Sequence, residues 1–357
     1  METLLDGGPQ KDFRAALLAW YRHSGRHDMP WRKTDDPYAI VVSEFMLQQT
    51  TVATVLPYYA RFLKKFPTLK SLVAADLNEV LALWSGLGYY ARARNLWSSM
   101  KAVAENHGGK IPQEAKALQD LPGIGPYTAG AISAFAFNRP AAVLDGNIIR
   151  VLMRLLGIED DPKMKAAQVI LQKVSFDLCN VPAAPRDKNG SRDINLALMD
   201  LGSTVCTPVA PKCMICPGAE FCLARAAGKQ EDIPVKARKM ERPRVRKLYA
   251  VIERSGKWLV AQRPREGLFG GLWEFPGIEV EDGTEPVPAL EAGVTEEVGW
   301  PVRVKKALPA FEHHLTHRVF QVKPFLCEPS KAPKAVPNAE SGRFYERFQW
   351  VKPAELD

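Results

Sequence analysis

Two carboxylates stand out for where they lie. Glu44 sits in SEFMLQQT (43–50), among Val41, Val42, Phe45, Met46 and Leu47. An ionised carboxylate costs free energy in apolar surroundings, so the pKa of such a group rises. A raised carboxyl is suited to donate a proton near neutral pH. The same residue also reads as a glutamate on the exposed face of an amphipathic helix. Asp145 is the opposite case. It follows LPGIGPYTAGAISAFAFNRPAAVL (121–144) and precedes an apolar helical pattern, which is where an N-cap sits. A helix N-terminus stabilises the ionised form; plain capping without chemistry is the alternative. A raised acid paired with an ionised carboxylate is the division of labour of glycosidic cleavage, whose transition state is oxocarbenium-like.

The turn formed by Leu121, Gly123 and Gly125 is built to hold an anion. Glycines let the backbone turn tightly and come close to a partner, and the N–H groups then face outward at a helix start. Such a grip holds phosphate without reading a base. Cys206, Cys213, Cys216 and Cys222 form a C-x6-C-x2-C-x5-C loop. Clustering of this kind favours metal over disulfides. The spacing alone admits Zn²⁺ or an iron–sulfur cluster. Cys179 and Cys327 stand apart and read as small buried hydrophobes.

Together with GLGYYARARNL (86–96), these segments resemble the helix-hairpin-helix DNA glycosylase superfamily that includes endonuclease III, and within it the MutY adenine DNA glycosylase family. The resemblance runs from about residue 11 to 225. It implies that Glu44 protonates adenine at N7 and that Asp145 stabilises the sugar cation or traps it as a short-lived adduct. It places Asn147 beside Asp145 and Arg32 near the adenine pocket. Strand-cleaving relatives carry a lysine where this chain has Tyr127, so the resemblance implies base excision without an amine nucleophile. An ordinary core tyrosine is the alternative. Gln48, Gln49 and Tyr89 are implied to fill the gap left by a nucleotide rotated out of the stack. Arg92 and Arg94 are implied DNA-backbone contacts, and Lys212, by its place inside the cysteine loop, is a candidate to meet phosphate. The four cysteines are implied to carry one [4Fe–4S] cluster.

The C-terminal part resembles the Nudix fold, chiefly through GLFGGLWEFPG (267–277). The Nudix hydrolases need a run of acidic Mg²⁺ ligands. Here AGVTEEVGW (292–300) keeps Glu296 and Glu297, but Ala292 and Gly293 stand where the pattern has arginine and glutamate. The resemblance therefore implies a module that recognises an oxidised base and no longer hydrolyses one. Within FEHHLTHRVF (311–320), Leu315, Thr316 and His317 align with the 8-oxoguanine-recognition loop. Thr316 keeps the hydroxyl and His317 a donor, while Leu315 lacks the usual aromatic ring. His313 and His314 are adjacent in a strand and face opposite ways, which argues against a metal site there.

Helices must position most of these residues. Apolar spacing predicts them over 11–25, from Pro37 into the rest of DDPYAIVVSEFMLQQT (35–50), and over 52–65, 76–84, 91–106, 114–120, 127–137, 147–156, 164–180 and 192–202. The basic, proline-containing run 234–247 reads as an extended linker. Beyond it, period-2 patterns predict strands at 247–254, 256–263, 302–311, 317–327 and 348–353, with one helix near 287–298. The expected fold is multidomain. An all-α helix-hairpin-helix glycosylase domain with the iron–sulfur loop spans 1–225, a basic linker 226–247, and an α+β Nudix-like domain 248–357. Net charge is about +5 in the first, +5 in the linker and −2 in the last, within a total of +8. A basic front suits a polyanion. The expected partner is double-stranded DNA with an A:8-oxoguanine or A:G mispair. The expected protein is a monomer in the bacterial cytoplasm, associated with the nucleoid, because no signal or membrane-spanning pattern is visible. A glycosylase–lyase and a nucleotide pyrophosphohydrolase are the rival enzymes, opposed by Tyr127 and the broken acidic run respectively. A non-enzymatic DNA-binding protein requires Glu44 and Asp145 both to be structural.

Overall fold

The structure is a computed structural model and describes residues 7–181, 190–235, 241–330 and 344–356. It divides into two compact units, Met1–Arg238 and Lys239–Asp357.

The first unit is helical: α1 (Gly7–Ser24), α2 (Pro37–Leu47), α3 (Val52–Lys65), α4 (Leu69–Val73), α5 (Leu77–Trp84), α6 (Ala91–Asn106), α7 (Ala115–Gln119), α8 (Pro126–Phe137), α9 (Gly146–Leu156), α10 (Lys165–Cys179), α11 (Ser191–Thr204) and α12 (Leu223–Ala226). Local chemistry sets many of the starts. Asp36 accepts from the Tyr38 N–H ahead of α2, Thr51 from Thr54 ahead of α3, and Asp76 from Asn78 ahead of α5. Each side chain satisfies a donor that the helix itself leaves orphaned.

Two apolar cores fill this unit. One gathers Phe13, Leu17, Ile148, Leu152, Leu171 and Leu198 from α1 and α9–α11. The other gathers Val42, Phe45, Phe62, Trp84, Leu96 and Met100 from α2–α6. Helix α8 serves both: Ala131 and Phe135 join the first, Ala129 and Ile132 the second. A helix apolar on all sides is one buried on all sides. Glu44 hangs from α2 and Asp145 caps α9, so the two carboxylates come from the two halves that α8 separates. Among the described residues, no helix is long and apolar enough to cross a membrane.

The basic stretch is shorter as a linker than its composition suggests. Ile233 is buried in the first core, and its carbonyl accepts from Arg154 Nε at 2.7 Å. At the other end, Arg244–Lys247 already belong to a strand. Part of what remains, 236–240, lies outside the described residues.

The second unit is α+β: β1 (Arg244–Arg254), β2 (Lys257–Gln262), β3 (Trp273–Glu274), β4 (Gly277–Val280), α13 (Pro286–Val298), β5 (Val302–Ala307), β6 (Phe311–His314), β7 (Val319–Pro329) and β8 (Arg347–Val351). β1 is central, parallel to β7 and antiparallel to β4 and β2. β5 and β6 pair with β7, while β3 and β8 pair with β2. The strand expected over 302–311 is split into β5 and β6. Pro309 falls in the gap, and its missing N–H cannot serve a ladder. Leu290, Val294 and Val298 on α13 pack on Leu248, Ile252 and Phe325 of the sheet.

Candidate active site

Glu44 is seven per cent exposed, on the most thoroughly buried helix of its half. Burial pushes its pKa up from 4.5 to about 8. The Arg32 charge opposes the rise and Asp145 adds to it. Among the described residues no hydrogen bond reaches the Glu44 carboxyl. It therefore holds its proton at neutral pH and has no other group to give it to.

Asp145 is held at both oxygens. Oδ1 accepts from the Ile148 N–H at 2.7 Å, which makes it the N-cap of α9, and Oδ2 accepts from Asn147 Nδ2 at 2.8 Å. Asn147 Oδ1 accepts from Arg150 at 2.8 Å, and Arg150 Nε donates to the Cys206 carbonyl at 2.7 Å. A chain of hydrogen bonds thus runs from the aspartate to the first cysteine of the loop. Gly202 lets α11 reach this corner, since a Cβ there would lie 2.6 Å from Asn147 Cβ.

Both carboxylates, with Tyr127, Asn147 and Arg32, line one cavity of about 470 Å³. That volume is in the range of small-molecule sites. The Tyr127 phenol is pushed up by burial and then by the charges of Glu44 and Asp145, so it stays neutral. Arg32 is committed to the protein. Its two terminal nitrogens meet the carboxylate of fully buried Asp200 at 2.6 and 2.9 Å, and Arg26 reaches the same carboxylate through Nε and its backbone N–H. Burial works to raise the Asp200 pKa, and the two arginines more than reverse it. Arg26, Arg150 and Asp200 were not singled out from sequence. A signal existed for Asp200, a carboxylate at helical spacing among Ile194, Ala197, Leu198 and Leu201.

The turn residues differ in how they act. Gly123 has φ +71, and a Cβ there would lie 2.4 Å from the Asn95 side chain, so glycine is required. Gly125 has an ordinary φ of −81 and open space around it; its contribution is a bare, accessible backbone. The N–H groups of both find no acceptor among the described residues. The Leu121 side chain is buried and anchors the turn.

Gln49 and Tyr89 are exposed, and both have left-handed backbones (φ 56 and 51), which costs free energy for a residue with a side chain. Gln48 Nε2 donates to Thr128 Oγ1 on α8 at 3.1 Å. Arg94 is half-buried and Lys212 exposed. Arg92 departs from the expectation of a backbone contact: it is buried and turned inward onto main-chain carbonyls.

The four thiols line a single small cavity with Val151, Leu155 and Leu201. Among the described residues no three or more Cys, His, Asp or Glu side chains are close enough to hold a single metal ion. In the second unit, Leu315, Thr316 and His317 form the tip of the β6–β7 hairpin, closed by Leu315 N–H to the Arg318 carbonyl at 2.9 Å. Thr316 and His317 are exposed there. At Gly293 a Cβ would lie 2.7 Å from Ile278 Cγ2. The side chain that the Nudix pattern places at this position has no room, because α13 packs down on β4.

Residues 42–175 match the HhH-GPD superfamily of base excision DNA repair proteins, and 248–357 match the NUDIX domain. An adenine DNA glycosylase of Buchnera aphidicola subsp. Acyrthosiphon pisum is 32% identical over 315 residues, covering 88% of this chain and 86% of that protein. This chain belongs to the adenine DNA glycosylase family. The family's Rattus norvegicus member is 39% identical over 321 residues, with 75% of this chain and 61% of the rat protein covered. The chain thus spans about three fifths of the mammalian relatives. The solved structure of a thermostable thymine-DNA glycosylase superposes on 61% of the chain and 97% of its own, at 30% identity and a TM-score of 0.54.

Proposed function

We propose that this chain removes adenine paired with 8-oxoguanine or guanine from double-stranded DNA, by hydrolysis of the N-glycosidic bond without strand cleavage. The observation that carries the reading is the shared cavity: a carboxyl protonated to about pH 8 and a doubly hydrogen-bonded carboxylate line one space of about 470 Å³. Adenine must leave the stack to enter it, at a cost of a few kcal/mol. The unpartnered N–H groups of Gly123 and Gly125 suit a phosphate beside the extruded nucleotide, and Gln49 and Tyr89 are poised to occupy the gap.

Glu44 transfers its proton to N7 of adenine, and the C1′–N9 bond breaks with its electron pair going to the base. Asp145 faces the cation left at C1′ and stabilises it until water adds there and gives its surplus proton to the ionised Glu44 carboxylate. Tyr127 is neutral and supplies no amine, so no Schiff base to C1′ forms at that position.

The cysteine set fits a [4Fe–4S] cluster: four soft thiols of one loop converge on one apolar-walled cavity. When bound, such a cluster fixes the fold of residues 206–222, where Lys212 is exposed toward solvent. The Thr316 and His317 tip is the candidate reader of the 8-oxoguanine, and the Nudix-like unit does not hydrolyse nucleotides.

A single-turnover assay on duplexes carrying A opposite 8-oxoguanine, guanine and thymine tests the reading. Alkali-labile sites at A opposite 8-oxoguanine are expected first. Strand breaks without alkali would overturn monofunctional action, and intact adenine would overturn the reading itself.

A further inference from the structure

Among the described residues of the helical unit, the guanidinium of Arg92 is the most heavily shared donor. Arg92 lies in the first turn of α6 and is seven per cent exposed. One terminal nitrogen donates to the carbonyls of Phe45 (3.1 Å), Met46 (2.8 Å) and Gln48 at the end of α2. The other donates to Thr50 Oγ1 (3.0 Å) and to the carbonyls of Leu87 (3.4 Å) and Gly88 (3.1 Å). Its flat face lies 5.3 Å from the Tyr89 ring centroid. Burial lowers its pKa to about 10, so it remains a cation at neutral pH.

Two segments far apart in sequence therefore end on one cation. The carbonyls at the end of α2 have no acceptor role within the helix and carry its negative dipole end. The 86–90 turn offers a second set of carbonyls. Each segment holds a strained, left-handed, exposed residue, Gln49 in one and Tyr89 in the other. Strain of this kind persists only where the surroundings over-determine it. Arg92 is the group that both surroundings share.

We propose that Arg92 is a positioning residue that locks the 48–50 and 86–90 segments into one rigid wedge, so that Gln49 and Tyr89 enter the stack together and drive adenine out. The proposal rests on the glycosylase reading above. A lysine cannot replace Arg92, because a single ammonium cannot serve two separated rows of carbonyls in fixed geometry. Nor does Arg92 act on phosphate, since its two terminal nitrogens are spent inside the protein and its Nε, though without a partner, is buried.

The test compares Arg92→Met and Arg92→Lys with the wild type on two substrates under single turnover. One is adenine opposite 8-oxoguanine in duplex. The other is adenine opposite an abasic-site analogue, where the opposing stack is already broken. Misplacement of a positioning group by about an ångström can cost about 10²-fold. That loss is expected for both variants on the paired duplex, with at most about threefold on the pre-opened one. The fluorescence rise of 2-aminopurine beside the target should slow in parallel with excision. The slope of log affinity against log salt should not change, whereas loss of a phosphate contact would reduce it by about 0.9.

Equal losses on both substrates, or a reduced salt slope, would overturn the proposal. A wild-type enzyme inactive on both substrates would instead overturn the glycosylase reading. Thr50→Val removes one of the six acceptors, together with the hydroxyl's own bond to the Gln48 carbonyl at 3.3 Å in the same segment, so it carries the same substrate contrast with a smaller loss if the Arg92 variants do not fold. No contrast in that variant would count against the proposal.

Discussion

Glu44 and Glu274 are both largely buried carboxylates near tyrosines, one in each unit, and they are treated oppositely. Glu274 accepts from Arg263 at 2.6 Å, Tyr249 at 3.1 Å and Tyr345 at 3.1 Å. Glu44 accepts from nothing among the described residues, and the nearby Arg32 charge is already neutralised by Asp200. A carboxylate ringed by donors is a strut holding a sheet together. A carboxyl denied donors keeps its proton and has it to give. Burial alone does not make an acid catalyst; burial with the partners withheld does.

The largest expected consequence is on chemistry. Glu44→Gln should slow single-turnover excision by about 10²–10⁴-fold, the range of a general acid's contribution, while affinity for the mispaired duplex stays within error. Near-wild-type excision would remove Glu44 from the role and break the contrast. Glu274→Leu should do the reverse. It leaves Arg263 buried without its partner, at a cost of about 3 kcal/mol, read as a lowered denaturation midpoint. Adenine hydrolysis by the folded protein should not change.

A third effect is the pH dependence that Glu44 imposes. Folded Glu44 keeps its proton up to about 8, whereas its ordinary value is 4.5. Between those values the folded state binds the extra proton, so its stability falls as pH rises. Glu44→Gln should therefore be more stable than the wild type at pH 8, by a few kcal/mol at most, at about 1.4 kcal/mol per pH unit. The gap should close as pH falls toward 4.5; equal thermal midpoints at pH 8 would mean that Glu44 titrates normally. In the same range the wild-type excision rate should be flat below pH about 8 and fall about tenfold per unit above it, as one acidic group ionises. The smallest expected effect belongs to the hairpin tip. Thr316→Val should lower preference for 8-oxoguanine over guanine by about fivefold, one ordinary hydrogen bond of about 1 kcal/mol, with little change on A:G substrates.

Much of this molecule was legible before any coordinates. The bounds of α3 and α6 coincide with the expected helices, because apolar spacing and, at α3, the Thr51 cap act over a few residues. Glu44 and Asp145 were legible for the same reason, as an acid in an apolar run and a carboxylate at an N-cap. Other features were not. Pro309 split a strand that the alternation had joined, and Ile233 drew part of an expected linker into the core. Arg92 carries the same charge whether it faces solvent or six protein acceptors, and only packing chose between them. Arg150 and Arg26 gave no local sign of their partners.

The sequence by itself determined where the longer helices run, where strands replace them, and which side chains are chemically able to give or hold a proton. Only the tertiary structure decided which of them lack partners. Asp200 neutralises Arg32 from 168 positions away, and Arg92 reaches Gln48 across 44. Capping and periodicity are settled by neighbours along the chain, whereas desolvation and ion pairing depend on whatever the fold brings alongside. A carboxyl's protonation state therefore belongs to the folded chain and not to its segment.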